Sequence, residues 1–341
     1  MKFEYQTPTL DTSWRSIILL GQNTASYKFA LAKTLLELNI DNDLVLLEDL
    51  ALPYARNIAQ HLAIEDKQAT SATSKFLNAC REFNSGEMTA DQLREETIKE
   101  GFKYVIDAFH IVASSEVPFR FFEDLRKEKR GIRLTDNFYN LLGSEQAVNF
   151  SLEVDSRWRL WETAISQNIN PGLLSIEHDN SSQTLYRFDN RRQRIDITSA
   201  RPTLNGYQKG RCFYCSRAIL IESGDSCHVD HFFPHRLKGP DGFRDINNIW
   251  NLVLSCPSCN LQKSDKIAKI KFLEKLEIRN NFYIQSHHPL REQIIKQTGK
   301  TVAARRDFLR AYLRHASEII PTKEGWGPKE YFGDDNILLT I

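Results

Sequence analysis

Apolar residues recur at helical spacing through most of the N-terminal half. Between 24 and 38, Tyr27, Ala30, Leu31 and Leu35 share one face, with Asn23 or Ser26 placed to cap the helix. The pattern repeats over 71–83 with Phe76, Leu77, Cys80 and Phe83. Thr89-Ala90-Asp91-Gln92 has capping-box spacing and announces a third helix, through Leu93 and Thr97 toward Val112. Pro118 suits a first turn and opens a predicted helix that ends on the basic run Arg126, Lys127, Lys129 and Arg130. Residues 140–185 turn polar. Asn170-Pro171-Gly172 and Asp179-Asn180-Ser181-Ser182 read as a hinge or surface loops, and Trp158 and Trp161 as core or interface aromatics.

Further on, the pattern changes. A strand carrying His228-Val229-Asp230-His231 leads to the turn formers Lys238-Gly239-Pro240-Asp241-Gly242. A second strand, Ile249 to Leu254, runs into Cys256, and a helix follows. Ile267, Ile270, Leu273 and Leu276 then recur every third residue beside Lys266, Lys269, Lys271 and Lys275. Thr301–Ile320 places Ala303, Phe308, Tyr312 and Ile319 inward and Arg305, Arg306, Arg310 and Arg314 outward. The class expected is mainly α with a small α+β module.

Composition narrows the classes. The 341 residues carry a net charge of +1, with 41% hydrophobic and 26% charged residues, as in ordinary globular chains. No apolar run reaches a membrane span, and the start, Met1 to Gln6, lacks a secretory h-region, so a cytoplasmic protein is expected. Charge is uneven. Residues 1–115 hold 11 Lys and Arg against 16 Asp and Glu, a net of −5, which leaves +6 for the remainder. The densest basic stretch is 187–217. There Arg191, Arg192 and Arg194 are candidates to meet nucleic-acid phosphates, the alternative being a solvated face.

Cysteine carries the sharpest signal. Cys212 and Cys215 form one C-x-x-C pair, and Cys256 and Cys259 another. With no secretory signal, two such pairs read as one closed four-thiolate zinc site rather than as disulfides. Cys80 and Cys227 read as buried fillers. Gly21-Gln22-Asn23 is too short for a phosphate loop. His61 and His110 in apolar settings, and His287 and His288 before Pro289, are assigned no role.

The residues between the cysteine pairs suit phosphodiester hydrolysis. The Asp230 carboxylate and the Asn260 amide are hard oxygen donors, suited to magnesium or manganese. His231 is the candidate general base. Asn251 is placed on the second strand to pin the long loop. Lys263, three residues after Asn260, is placed on the same helical face to hold a phosphate. His228 shares strand parity with Asp230 and reads as a secondary ligand, a phosphate contact or a polar rim.

The stretch Gly210–Lys266 resembles the HNH endonucleases, the ββα-metal nucleases, through C-x-x-C, D-H-x-x-P and N-L-x-L-x-C-x-x-C-N followed by Lys-Ser-Asp. The resemblance implies a catalytic His231, a central Asn251 and metal-binding Asp230 and Asn260. The third letter is Asn260 rather than His, a pattern similar to the HNH domain of RNA-guided CRISPR nucleases, and this favours magnesium or manganese. The domains expected are a mostly helical accessory or regulatory domain at 1–185, a zinc-bound nuclease domain at 186–285 and a helical extension at 286–341. The expected activity is DNA cleavage, by nicking or as a double-strand break. A zinc module that binds nucleic acid without cutting it is one alternative, and an RNA-directed nuclease another. By analogy of class, the setting is bacterial defence against phage or plasmids, with protein partners met through the N-terminal domain; homing or phage packaging is the alternative.

Overall fold

The computed structural model describes residues 8–20, 23–39, 42–70, 74–166, 176–188, 192–222, 225–239 and 246–332. Arg191, the Asn170-Pro171-Gly172 turn, Gly21-Gln22 and Pro240-Asp241-Gly242 lie outside these residues. Of the described residues 53% are helical, with small antiparallel sheets. It divides into two compact units, Met1–Ser166 and Gln167–Ile341, so that the expected boundaries at 185/186 and 285/286 both fall within the second. Among the described residues no helix is long and apolar enough to cross a membrane.

In the first unit, the predicted helices form at Tyr27–Glu37 and Lys75–Ser85. The capping box at Thr89 opens Ala90–Glu96. That helix does not reach Val112: it widens into a π-turn at Thr97–Gly101 and stops, and Ile111–Val112 is a short strand. The core gathers around Trp14, whose ring meets Phe109, Phe121, Phe138 and Phe150 at 5.2–6.3 Å. A second cluster stacks Tyr54 between Phe76 and Phe102.

Two expectations fail here. The segment from Pro118 to Arg130 is not one helix: a four-residue strand, Phe122–Leu125, pairs antiparallel with Gly131–Leu134, and only the four residues Arg126–Lys129 are helical. Burial of Phe121 and Phe122 decides the strand. Gly131 admits the third strand, Leu44–Leu46, because a Cβ there would lie 2.4 Å from the Val45 carbonyl oxygen. The polar segment 140–185 contains a 20-residue helix, Ala147–Ser166, with Trp158 and Trp161 buried. Two of its carboxylates find partners inside: Glu153 pairs with Arg15 at 2.8 Å, and Glu162 accepts from Gln68 at 2.6 Å.

The second unit opens with an antiparallel sheet of three strands in chain order, Glu177–Asp179, Thr184–Phe188 and Arg194–Ser199. The helix Ala200–Gln208 follows. A hairpin then pairs His228–His231 with Leu252–Ser255, and the helix Pro257–Lys263 completes a ββα unit. Ile249–Asn251 forms a 3-10 turn before the second strand rather than part of it. The Gln208 amide covers the strand edge, with its Nε2 donating to the Leu254 carbonyl at 2.9 Å and its Oε1 accepting from the Leu254 N–H at 2.8 Å. From the helix Ile270–Gln285, the buried Arg279 donates to the carbonyls of Ile249, Trp250 and Leu252. The later helices, Arg291–Thr298 and Val302–Ile319, supply Phe308 and Tyr312 against Trp250, each at 5.1 Å.

Candidate active site

Two tight turns bring the four cysteines together. After Cys215 the chain takes a positive φ at Ser216, whose N–H donates to the Cys212 carbonyl at 3.0 Å. Cys256 precedes a helix opened by Pro257, and Cys259 sits in its first turn. The four sulfurs lie within 4.8 Å of one another, with Cys215 Sγ and Cys256 Sγ 3.7 Å apart. Thiolates ~2.3 Å from a tetrahedral zinc sit roughly 3.8 Å apart, so the donor set and its spacing fit that ion. Among the described residues no other group of three or more His, Cys, Asp or Glu gathers in this way. Cys80 and Cys227 are buried outside the cluster, and burial pushes both thiols up to about 12.

Beside the hairpin, a cleft of 560 Å³ is lined by Asp230, His231, His228 and Asn260, the residues singled out from sequence, and also by Gln183 and Arg201. His231 is buried, with Nε2 3.1 Å from Asn247 Oδ1. Burial, then the neighbouring His178 and His235, push its imidazole down to about 3, below the near-neutral value that suits a general base, so in this closed setting the ring is uncharged at neutral pH. Asn260 is half-buried at the start of the helix, its Nδ2 3.1 Å from His228 Nδ1. Asp230 and Asn260 thus offer a carboxylate and an amide oxygen to one cleft, a hard donor set that fits a magnesium-type ion.

Asn251 is wholly buried. Its Oδ1 accepts from the Phe233 N–H at 2.8 Å, and its Nδ2 donates to the carbonyls of Phe233 and Ile246 at 3.1 and 2.9 Å. From its 3-10 turn it pins the chain just after the first strand to the chain just before the turn.

Two expected phosphate contacts are redirected. Lys263 has no exposure: its ammonium lies 3.0 Å from Asp230 Oδ2 and donates to the His231 carbonyl at 2.7 Å, so it faces the protein and not a phosphate. The helical spacing from Asn260 is right, but the strand carboxylate beneath captures the charge. Arg194 is bound to Asp179 and Asp196 and lies over the Tyr186 ring. Arg192 is exposed at a positive φ.

The structure adds residues that the sequence reading left without a role. The Tyr214 hydroxyl, from the spacer of the first C-x-x-C, donates to Asp230 Oδ2 at 2.6 Å. His178, in the sheet strand, is buried with its ring 5.8 Å from that of His231. Burial pushes that imidazole down to about 4. Arg201 is half-buried on the cleft wall and has no acidic partner among the described residues. Tyr214 has a local signal, an aromatic inside the knuckle; His178 and Arg201 have none, because only the fold brings them near residues 228–231.

Fold and site together define a ββα module with a four-cysteine cluster. Residues 212–266 match the family model for the HNH endonuclease. Comparison with curated proteins and with solved structures gave no match.

Proposed function

We propose that this protein hydrolyses phosphodiester bonds in DNA at the cleft beside the hairpin, with zinc as a structural ion and magnesium or manganese as the catalytic one. The observation that carries the reading is the meeting of Asp230, His231 and Asn260 in a single cleft. His231 takes the proton from the attacking water in its neutral form, held by Asn247. Asp230 and Asn260 would hold the divalent cation, which would supply stabilisation of charge on the phosphate and the leaving oxygen. Asn251 fixes the loop that follows His231. Arg201, a cation on the cleft wall, holds a substrate phosphate in the role first expected of Lys263.

A nuclease joined to a separate unit, Met1–Ser166, supports a cytoplasmic role in defence against phage or plasmid DNA, with that unit meeting the protein partners. The test is supercoiled plasmid incubated with the purified chain, with and without magnesium. The wild type converts it to nicked or linear DNA only with metal, and His231→Ala slows this by ~10²–10⁴-fold while metal and DNA still bind. Cleavage by His231→Ala at the wild-type rate would overturn the mechanism in favour of a binding module.

A further inference from the structure

Both oxygens of Asp230 already have partners. Oδ2 accepts from the Tyr214 hydroxyl at 2.6 Å and lies 3.0 Å from Lys263 Nζ, and Oδ1 accepts from the same Nζ at 3.1 Å. Neither partner is free to swing: Tyr214 and Lys263 have no exposure, and Lys263 is also bonded to the His231 carbonyl. A carboxylate offers about four lone-pair directions. Three are engaged by these two side chains, and the His231 backbone N–H also bonds to the carboxylate.

The two arms of this clamp come from the two cysteine knuckles. Tyr214 lies between Cys212 and Cys215, and Lys263 is one helical turn after Cys259. The cysteine cluster therefore sets the spacing of the groups that grip Asp230.

The charge balance has a consequence. The Lys263 ammonium cancels the Asp230 carboxylate, and Asn260 is a neutral donor. Magnesium-type ions are commonly held by one or two carboxylates completed by substrate phosphates. Asp265 also lines the cleft but is exposed to solvent; a centre whose one buried carboxylate is already neutralised attracts a divalent ion weakly until a phosphate supplies negative charge.

We propose that Tyr214 and Lys263 are positioning residues that hold Asp230 in place and keep its charge neutralised, so that the centre takes up its divalent cation together with a nucleic-acid phosphate rather than before it. The proposal rests on the nuclease reading above.

The test measures Mn²⁺ binding by the electron paramagnetic resonance of the free ion, using the full-length His231→Ala protein with and without a short DNA duplex. Adding duplex should tighten Mn²⁺ binding by roughly 10-fold or more, and Mn²⁺ should tighten duplex binding by the same factor, because such coupling is reciprocal. Lys263→Met replaces the ammonium with an uncharged chain of similar length. It should tighten Mn²⁺ binding without DNA by roughly 10-fold and shrink the gain from adding duplex. Tyr214→Phe removes only the hydroxyl and should shift binding the same way by a smaller factor; it decides the matter if Lys263→Met fails to fold. Zinc content of one per chain verifies each variant. Equal Mn²⁺ affinity with and without duplex overturns the proposal, as do zinc-loaded variants that bind Mn²⁺ as the parent does. These results leave the nuclease reading standing if the wild type cuts plasmid. A wild type that never cuts removes that reading, and this inference with it.

Discussion

Replacing Asn251 with alanine tests how the loop after His231 is held. The side chain is wholly buried and makes three hydrogen bonds to backbone, two with Phe233 and one with Ile246. Alanine removes all three and leaves a buried N–H and two carbonyls without these partners. At about 1 kcal/mol net per bond, with the desolvation cost of the stranded groups added, the loss should be ~3–5 kcal/mol. For a unit of this size, a urea dependence of ~2 kcal/mol per molar turns that into a midpoint lowered by roughly 1.5–2.5 M. Zinc release into a chromogenic chelator follows this unit specifically, since the cysteine cluster lies within it. Cleavage should slow while the magnesium concentration for half-maximal rate stays near that of the wild type. Asn251→Asp keeps the volume but turns an oxygen toward each of two carbonyls, so it should destabilise at least as much. A midpoint for Asn251→Ala within ~0.5 M of wild type would refute the assignment.

Cys259→Ser should abolish zinc binding and lower the melting temperature by more than ~5 °C, checked by metal analysis and calorimetry; unchanged zinc content contradicts the four-thiolate site. Arg201→Ala should reduce the log–log salt slope of DNA affinity by about 0.9, whereas Arg194→Ala should leave it unchanged because Asp179 and Asp196 already match that charge. In the first unit, buried His110 accepts from the Phe121 N–H at 3.0 Å through Nε2, and burial pushes its pKa down to about 3. Below the ordinary histidine value of about 6.5 the unfolded chain binds the extra proton, so stability is full above that pH and falls by up to ~1.4 kcal/mol per pH unit toward pH 3. His110→Gln keeps an acceptor and should flatten the dependence of melting on pH between ~6.5 and 4; equal slopes in the two proteins would exclude this group as the cause.

The sequence by itself determined what depends on neighbours along the chain. Two C-x-x-C pairs can form a metal cluster from tight turns, so Cys212, Cys215, Cys256 and Cys259 were legible from spacing alone. Asp230 and His231 are adjacent on one strand, and Asn260 lies within the helix that follows the second, so the cleft residues could be read from the order of strand, loop, strand and helix. The helix Tyr27–Glu37 was readable for the same reason, whereas for Val302–Ile319 the span was legible but not all of its facing: Arg305, expected outward, is buried, and Ala303 and Ile319, expected inward, are exposed. What only the tertiary structure decided is where polar groups find partners far along the chain. Ala147–Ser166 looks like surface in sequence, yet Glu153 and Glu162 are buried because Arg15, His61 and Gln68 meet them. Phe122–Leu125 is a strand because Gly131–Leu134 pairs with it. Lys263 shares a helix with Asn260, but its ammonium turns inward because Asp230 and the His231 carbonyl offer better-placed acceptors than water does. Periodicity gives the direction of a side chain from its own element; the fold alone sets which charge or hydrogen-bonding group waits there, and that pairing decides between solvent and interior.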